Sequence, residues 1–323
     1  MRVDVFGAIE LVRRATEFNW LWDLGNVEQF CVESGWRQIE SEANVDSWKT
    51  NLDIDSDIAK LYKRVDPPSV LFIRVTVADT PSVGEVRSDS FTDLSRNLVT
   101  VLGRPHRFSP GADPRVDWDL DRLYIYMDCI GSAVNIYLMN PEFKEALDSA
   151  AADEKIDAEM LQSYESSVRR TLGSVKNWEH FKNMLAKILW RMPRHGVVVL
   201  NATGGRFMQF SFADHQLDGF NLVAEVSSNA DIADGYRMSM GVNERMIEAN
   251  WKFEDPSCDG NWSKKFQWPL YFGTFEKIAN DAVVTLRELL AIDSPNVVEV
   301  EAWVEWPYLP FDTSTLGTDP HFK

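Results

Sequence analysis

Apolar positions recur at helical spacing from the start of the chain. Within residues 4 to 17, Val5, Ile9, Val12 and Thr16 fall on one face, and Asp4 stands where a carboxylate caps the free amides of a first turn. This predicts an amphipathic helix. A second, shorter helix is expected after it, capped by Asn26, with Val27, Phe30 and Cys31 on one face and Gly35 placed to end it in the left-handed conformation. From Trp36 to Ile58 the pattern turns to alternation, clearest where Leu52, Ile54 and Ile58 oppose Asp53, Asp55 and Asp57, which is the pattern of half-buried strand. The run from Val70 to Val77 is more fully apolar and bounded by Pro67-Pro68 and Pro81, so it reads as a central strand. Phe91, Leu94, Leu98, Val99 and Leu102 restore helical spacing until Gly103 and Pro105 stop it, and strands near 122 to 129 and 132 to 139 complete the first half.

Between Glu142 and Leu172 there is neither proline nor glycine, and Ile156, Met160, Tyr164, Val168 and Leu172 recur at spacings of four. A helical connector is expected there. The second half opens with a strong helical stripe, Val175, Trp178, Phe181, Leu185, Ile188, Leu189 and Met192, ended by Pro193 and Gly196. Strands at Val197 to Asn201, Arg206 to Phe212 and Phe220 to Val226 follow, punctuated by Thr203-Gly204-Gly205 and Asp218-Gly219 as hairpins are. Asn243 would cap a short helix to Ala249, Pro269 would open a long one carrying Phe275, Ile278, Ala282, Val283, Leu286 and Leu290, and Val297 to Val304 reads as the last strand. The resulting expectation is an α+β protein of two domains, each an antiparallel sheet packed against helices: 1–145, a connector at 146–173, 174–310, and a polar tail at 311–323. Both halves share a rough order of helix, strands, helix, strand, which raises the prospect of a tandem duplication and a single chain imitating a dimer; a homodimer is the other arrangement considered.

Charge narrows the partners. The chain has 323 residues with Lys+Arg 33 against Asp+Glu 50, a formal net charge of −17. Nucleic acid and anionic lipid would be repelled, and the densest basic spot is only Arg191, Arg194 and His195. Charged residues within the first twenty positions argue against a secretory signal, and no apolar run approaches a membrane span, so a cytoplasmic protein is expected. Cys31, Cys129 and Cys258 form no ligand-spaced pair and read as reduced packing residues.

Catalytic signatures are missing. There is no phosphate loop, dinucleotide fingerprint, nucleophile elbow or zinc-protease motif, and the five histidines stand apart from one another, so neither cofactor nor metal is expected. Asp53-x-Asp55-x-Asp57 begins like a calcium loop but has Ile58 in place of the required glycine and Arg64 in place of the bidentate glutamate. Asp117-x-Asp119-x-Asp121 fails likewise at Arg122. Both series read as solvated strand faces; Asp53, Asp55, Asp57, Asp117 and Asp119 would, as a function, offer an acidic surface to a basic partner. Gly204-Gly205 reads as a hairpin turn rather than an anion cradle. Of twelve tryptophans most serve packing, while Trp303, Trp306 and Tyr308 are candidate aromatic anchors for a protein partner.

The second half also resembles a known family. Trp178-Glu-His-Phe181 with Leu185, Gly196-Val-Val-Val-Leu200, Arg206-Phe-Met-Gln209-Phe210, Ala224-Glu225-Val226-Ser227, Asn250-Trp251, Asn261-Trp262, Trp268-Pro269 and Thr285-Leu286-Arg287-Glu288 with Ser294-Pro295 are similar in order and spacing to the TY-Chap domains, over roughly 174 to 304. These belong to the superfamily uniting type III secretion (Tir-type) chaperones with YbjN-like proteins. Asn250 departs from the family's usual glycine, although asparagine also tolerates the left-handed conformation. The first half, with Phe30, Ser34-Gly35-Trp36 and its late strands, is similar to an actinobacterial domain family of unknown function. The resemblance implies a non-enzymatic chaperone that holds an extended segment of a secreted effector or toxin-like client, including clients of type VII and polymorphic-toxin systems. An immunity-type inhibitor of a toxin and a YbjN-like regulatory or scaffold module are the alternatives.

Overall fold

The computed structural model describes residues 2–79, 85–131, 133–149, 169–171, 175, 177–215, 219–229, 232–253 and 260–304. They divide into two compact units, one of residues 2–109 and 113–149 and the other of residues 110–112 and those from 169 onward, each built on its own antiparallel sheet. The fold class is therefore α+β with two sheet regions.

The first unit contains β1 (Arg2–Val3), α1 (Val5–Glu17), α2 (Leu24–Glu33), β2 (Arg37–Ser41), β3 (Val45–Lys49), β4 (Ile58–Arg64), β5 (Ser69–Asp79), α3 (Glu85–Leu102), β6 (Arg107–Ser109), β7 (Arg115–Leu120), β8 (Leu123–Ile130), β9 (Ala133–Met139) and α4 (141–149). Its nine strands run in the order β2-β3-β4-β5-β9-β8-β7-β6, with β1 joined to β5. Asp4 caps α1 by accepting from the Gly7 amide at 2.7 Å, but the buried side of that helix is Ala8, Leu11, Val12 and Ala15 rather than the expected stripe. Asp23, not Asn26, caps α2. The alternating run at 50–57 is a loop: Leu52 and Ile54 are buried, yet the segment joins β3 to β4 without strand pairing of its own. Alternation there records which side chains are covered, while a strand also requires a backbone partner.

One face of this sheet is the core. Ile73, Val75, Leu61, Ile125, Met127, Ile136 and Leu138 have no exposed surface, and α3 lies over β8 and β9 with α1 against it. Trp20, Trp22, Phe30 and Trp36 close the corner between α1 and α2; the Trp20 and Trp22 rings stack at 4.6 Å and the Trp20 indole donates to the Ala15 carbonyl at 2.7 Å.

The second unit contains β10 (Arg169–Thr171), α5 (Trp178–Arg191), β11 (Gly196–Ala202), β12 (Arg206–His215), β13 (Gly219–Val226), α6 (Met240–Glu248), β14 (Lys252–Phe253), β15 (Trp262–Gln267), α7 (Phe272–Val284) with a π turn over Thr285–Leu289, and β16 (Glu299–Val304). The seven strands run β10-β16-β11-β12-β13-β15-β14. Residues 169–171 pair with β16, so the expected connector ends in strand. Ser239 takes the cap position of α6, where Asn243 was expected, and α7 starts three residues after Pro269. Gly204 and Gly205 do form a hairpin turn, both at positive φ, with the Tyr236 ring lying where a Cβ on Gly204 would stand.

The shared element order does not extend to connectivity. After α3 the chain runs to the far edge and returns strand by strand until β9 pairs with β5, the last strand before the helix. After α7 it crosses instead to β11, the first strand of the second unit's meander. The two sheets are wound differently, which removes the basis for reading one half as a copy of the other.

Candidate functional site

Each sheet has one face turned toward a long helix, α3 in the first unit and α7 in the second, and the opposite face decides what each unit offers a ligand. In the first unit three cross-strand rows cover it. Tyr62, Phe72, Met139 and Tyr124 form one row, Arg74, Tyr137, Tyr126 and Asp117 the next, and Thr76, Asn135, Asp128 and Arg115 the third. The rings stack along and across these rows: Tyr62 on Phe72 at 4.3 Å and Tyr126 on Tyr137 at 4.1 Å. From α4, Phe143 stacks on Phe72 at 6.0 Å and the Lys144 ammonium lies 4.6 Å from the Tyr124 ring.

Arg115 and Asp117 pair with each other on this face. The Arg115 guanidinium lies 3.8 Å over the Tyr126 ring and donates to Asp117 at 2.5 Å, while the Tyr124 hydroxyl donates to the other Asp117 oxygen at 2.6 Å. Burial alone would lower the Arg115 pKa, but the Asp117 bond and charge outweigh it and raise it. Asp128 accepts from Asn135 at 3.3 Å and from Tyr137, yet burial pushes its carboxyl above the ordinary aspartate range. Burial likewise raises Tyr124 and Tyr126, and Tyr137 rises to about 12 through burial and the neighbouring Asp128. Such a lattice is saturated. It stiffens the sheet and presents no unpaired nucleophile or base.

Asp117 is consequently no part of an acidic surface. It is 1% exposed and ion-paired, because the open face of the sheet is covered by its own tyrosines and arginines. Asp119 lies one step along β7 and is exposed. The loop aspartates are also engaged: Arg2 sits 3.2 Å from Asp53 and 3.7 Å from Asp55, and Lys49 3.2 Å from Asp57. Cys31 and Cys129 are buried and not disulfide-bonded, and burial pushes the Cys31 thiol up, which suits a packing role. Among the described residues no group of histidine, cysteine and carboxylate side chains could hold a metal, and no helix is long and apolar enough to cross a membrane.

The second sheet differs. Its helix side is fixed by Lys264, which reaches Asp281 of α7 at 2.8 Å, and that residue shares a row with Val198, Phe210 and Ala224. The alternate positions therefore point away from α7. There Trp303, Val197, Ser211, Val223 and Lys265 make one row across five strands, and Glu301, Val199, Gln209, Glu225 and Ser263 the next. Val197, Val199 and Val223 are buried, Trp303 is half-buried, and the Gln209 amide donates to Glu225 at 2.5 Å. This is an apolar strip whose valines are already covered, with a half-buried tryptophan at one end and polar groups beside it. Sequence reading picks out Trp303 alone; Val197, Ser211 and Val223 lie on the consecutive strands β11, β12 and β13, and Trp303 joins their row only because β16 pairs with β11 after α7. Trp306 and Tyr308 lie outside the described residues.

With the geometry in hand, the family comparisons divide the chain as its two units do. Residues 173–304 match the family described as T3SS (YopN, CesT) and YbjN peptide-binding chaperone 3, and residues 7–140 match a family of unknown function (DUF6301). No curated protein and no solved structure is significantly similar to the chain.

Proposed function

We propose that this chain is a non-enzymatic client-binding protein, a cytoplasmic chaperone for an exported effector or toxin-like protein, and that its second unit takes an extended client segment across the open face of its sheet. The observation that carries the reading is the match of residues 173–304 to a family of peptide-binding chaperones. The geometry supplies the means. A client strand laid across the row of Trp303, Val197, Ser211 and Val223 covers the remaining surface of a half-buried indole, and the Gln209–Glu225 pair borders it with polar groups. Loss of a tryptophan anchor costs roughly 2 kcal/mol, which is the scale that decides whether a modest interface holds.

A photo-crosslinking residue at Ser211, activated in the protein's own cells, should capture one dominant partner through an extended segment. With that partner purified, Trp303→Ala should weaken binding by about tenfold or more. The partner's own activity should survive in the complex. A complex that abolishes the partner's activity would make the chain an inhibitor, and unchanged affinity of Trp303→Ala and Val223→Glu would remove this face as the client site.

A further inference from the structure

Two clefts flank Arg14 on the first unit, of about 310 and 270 Å³, and both are lined by Arg14 and Ser34. Together they form a groove running along α1, walled on the other side by the end of α2 and the loop after β3. Its floor is apolar: Leu11, Phe30, Trp36 and Leu52 are all buried. Its rim is acidic. Glu10, Glu17 and Glu33 line it, and Arg14 is the one cation among the lining residues. Glu10 is already paired with Arg13, and the Asp4 carboxylate is occupied by the amides of Gly7 and Asp53. The Glu33 carboxylate accepts from the neutral Gln29 amide at 2.8 Å, and Arg14 sits on the Glu33 backbone carbonyl, so Glu17 and Glu33 together face the single cation Arg14 and the rim keeps a net negative charge.

We propose that this groove binds an extended protein segment in which aliphatic and basic side chains alternate. The floor accepts the aliphatic side chains and the methylene stems of lysine or arginine, while the heads reach the carboxylates on the rim. An acidic segment would meet like charge at both Glu17 and Glu33, and a purely apolar one would leave the rim without a counterpart. Arg14 lies across the junction of the clefts, donating to the Glu33 carbonyl at 2.8 Å, and so both divides the groove and opposes a cationic occupant. Moving that exposed side chain aside opens one continuous channel. The inference stands apart from the client face of the second unit and does not depend on it.

Fluorescence anisotropy with a fluorescein-labelled twelve-residue peptide alternating leucine and lysine tests it on the full-length protein. The peptide should bind, and its counterpart with glutamate for lysine should not. Glu17→Lys with Glu33→Lys should weaken binding by about tenfold, and Arg14→Ala should strengthen it by about threefold. Glu244→Lys with Glu248→Lys on α6 changes the net charge equally and should leave the affinity unchanged, as should Trp303→Ala. Equal effects of the two charge-reversed pairs would reduce the binding to the overall charge of the protein and overturn the groove. Equal affinity for both peptides, or no binding of either, would overturn it too.

Discussion

The open faces of the two sheets solve the same problem in opposite ways. An antiparallel sheet with helices on one side leaves alternate residues of every strand facing outward. The first unit fills those positions with tyrosine, arginine and aspartate that bond to one another across four strands, from Arg74 to Asp117. The second fills them with valine, serine and glutamine, ending at Trp303. In the first, Arg115 and Asp117 compensate each other and the tyrosines bond to their neighbours, so a ligand would have to replace interactions already made. In the second, the valines are already buried, and it is the half-buried Trp303 at the end of the strip that gains by being covered. The comparison assigns rigidity to one face and leaves the other to the proposed client binding, although tyrosines and arginines on a sheet would by residue type alone attract more functional interest than valines.

The largest difference should appear when one carboxylate is removed from each face. Asp117→Ala leaves the Arg115 guanidinium, two-thirds buried at its side chain, without its counter-charge, and deprives the Tyr124 hydroxyl of its acceptor. Breaking a buried pair costs 3–5 kcal/mol, and the partial exposure of Arg115 brings the expectation to about 3 kcal/mol. Glu225→Ala in the second unit removes one hydrogen bond from Gln209 at a half-buried position and should cost about 1 kcal/mol or less. Urea unfolding of the two variants, followed separately for each unit, measures the contrast. Equal losses would mean that the second face is as tightly self-bonded as the first.

A smaller effect follows from Asp128, and it belongs to the lattice alone. Its carboxyl is raised in the folded state because burial disfavours the charge. The folded chain therefore holds that proton more tightly than the unfolded one, so the associated stability is present below the ordinary aspartate pKa and is lost as pH rises through the folded value. Asp128→Asn should remove this loss: the first unit should become less pH-sensitive from mildly acidic to neutral pH and gain relative to the parent at neutrality. Urea midpoints at a series of pH values test it, and an unchanged profile would show that Asp128 ionises without penalty. Tyr137, raised to about 12, places a second loss at strongly alkaline pH, visible as late tyrosinate absorbance.

Much of this architecture could be read from the chain, and the exceptions share a cause. Long patterned stretches were legible: the apolar stripe of α5, the β5 run, the hairpin at Gly204, the buried side of α7. Patterns fail where burial depends on a distant partner. Asp117 sits at a polar position of an alternating strand, and only its register with Tyr126 on β8 and the side chain of Arg115 bring it inside. On α3, Ser88, Thr92 and Ser95 are buried beside the expected Phe91, Leu94 and Leu98; α1 offers Ala8 and Ala15, and small residues on packed helices permit close approach. Short strands such as β15, with two adjacent lysines, carry too little pattern to stand out, yet β15 supplies Lys264 to α7 and Lys265 to the open face. Of the candidate site, Trp303 was singled out as an aromatic and the hairpins that join Val197, Ser211 and Val223 were legible, whereas the placement of Trp303 beside Val197 was not, since β16 reaches β11 only after the chain has passed through α7.

The smallest expected effect tests the acidic-surface idea that the alternating aspartates suggest. Asp53 and Asp55 are strongly exposed and share Arg2, itself more than half exposed, so water and salt already screen the three charges. Replacing both by asparagine should change stability by no more than about 0.5 kcal/mol. Their charge is also partly cancelled locally, so the same double variant should leave the salt dependence of client capture at the Trp303 face unaltered. A clear weakening, with a flatter dependence on salt, would instead bring this loop into the binding surface and give the first unit a direct electrostatic share in recognition. The contrast between a rigid first unit and a binding second unit would then have to be redrawn, because the loop that carries these aspartates also carries Leu52, on the floor of the groove along α1.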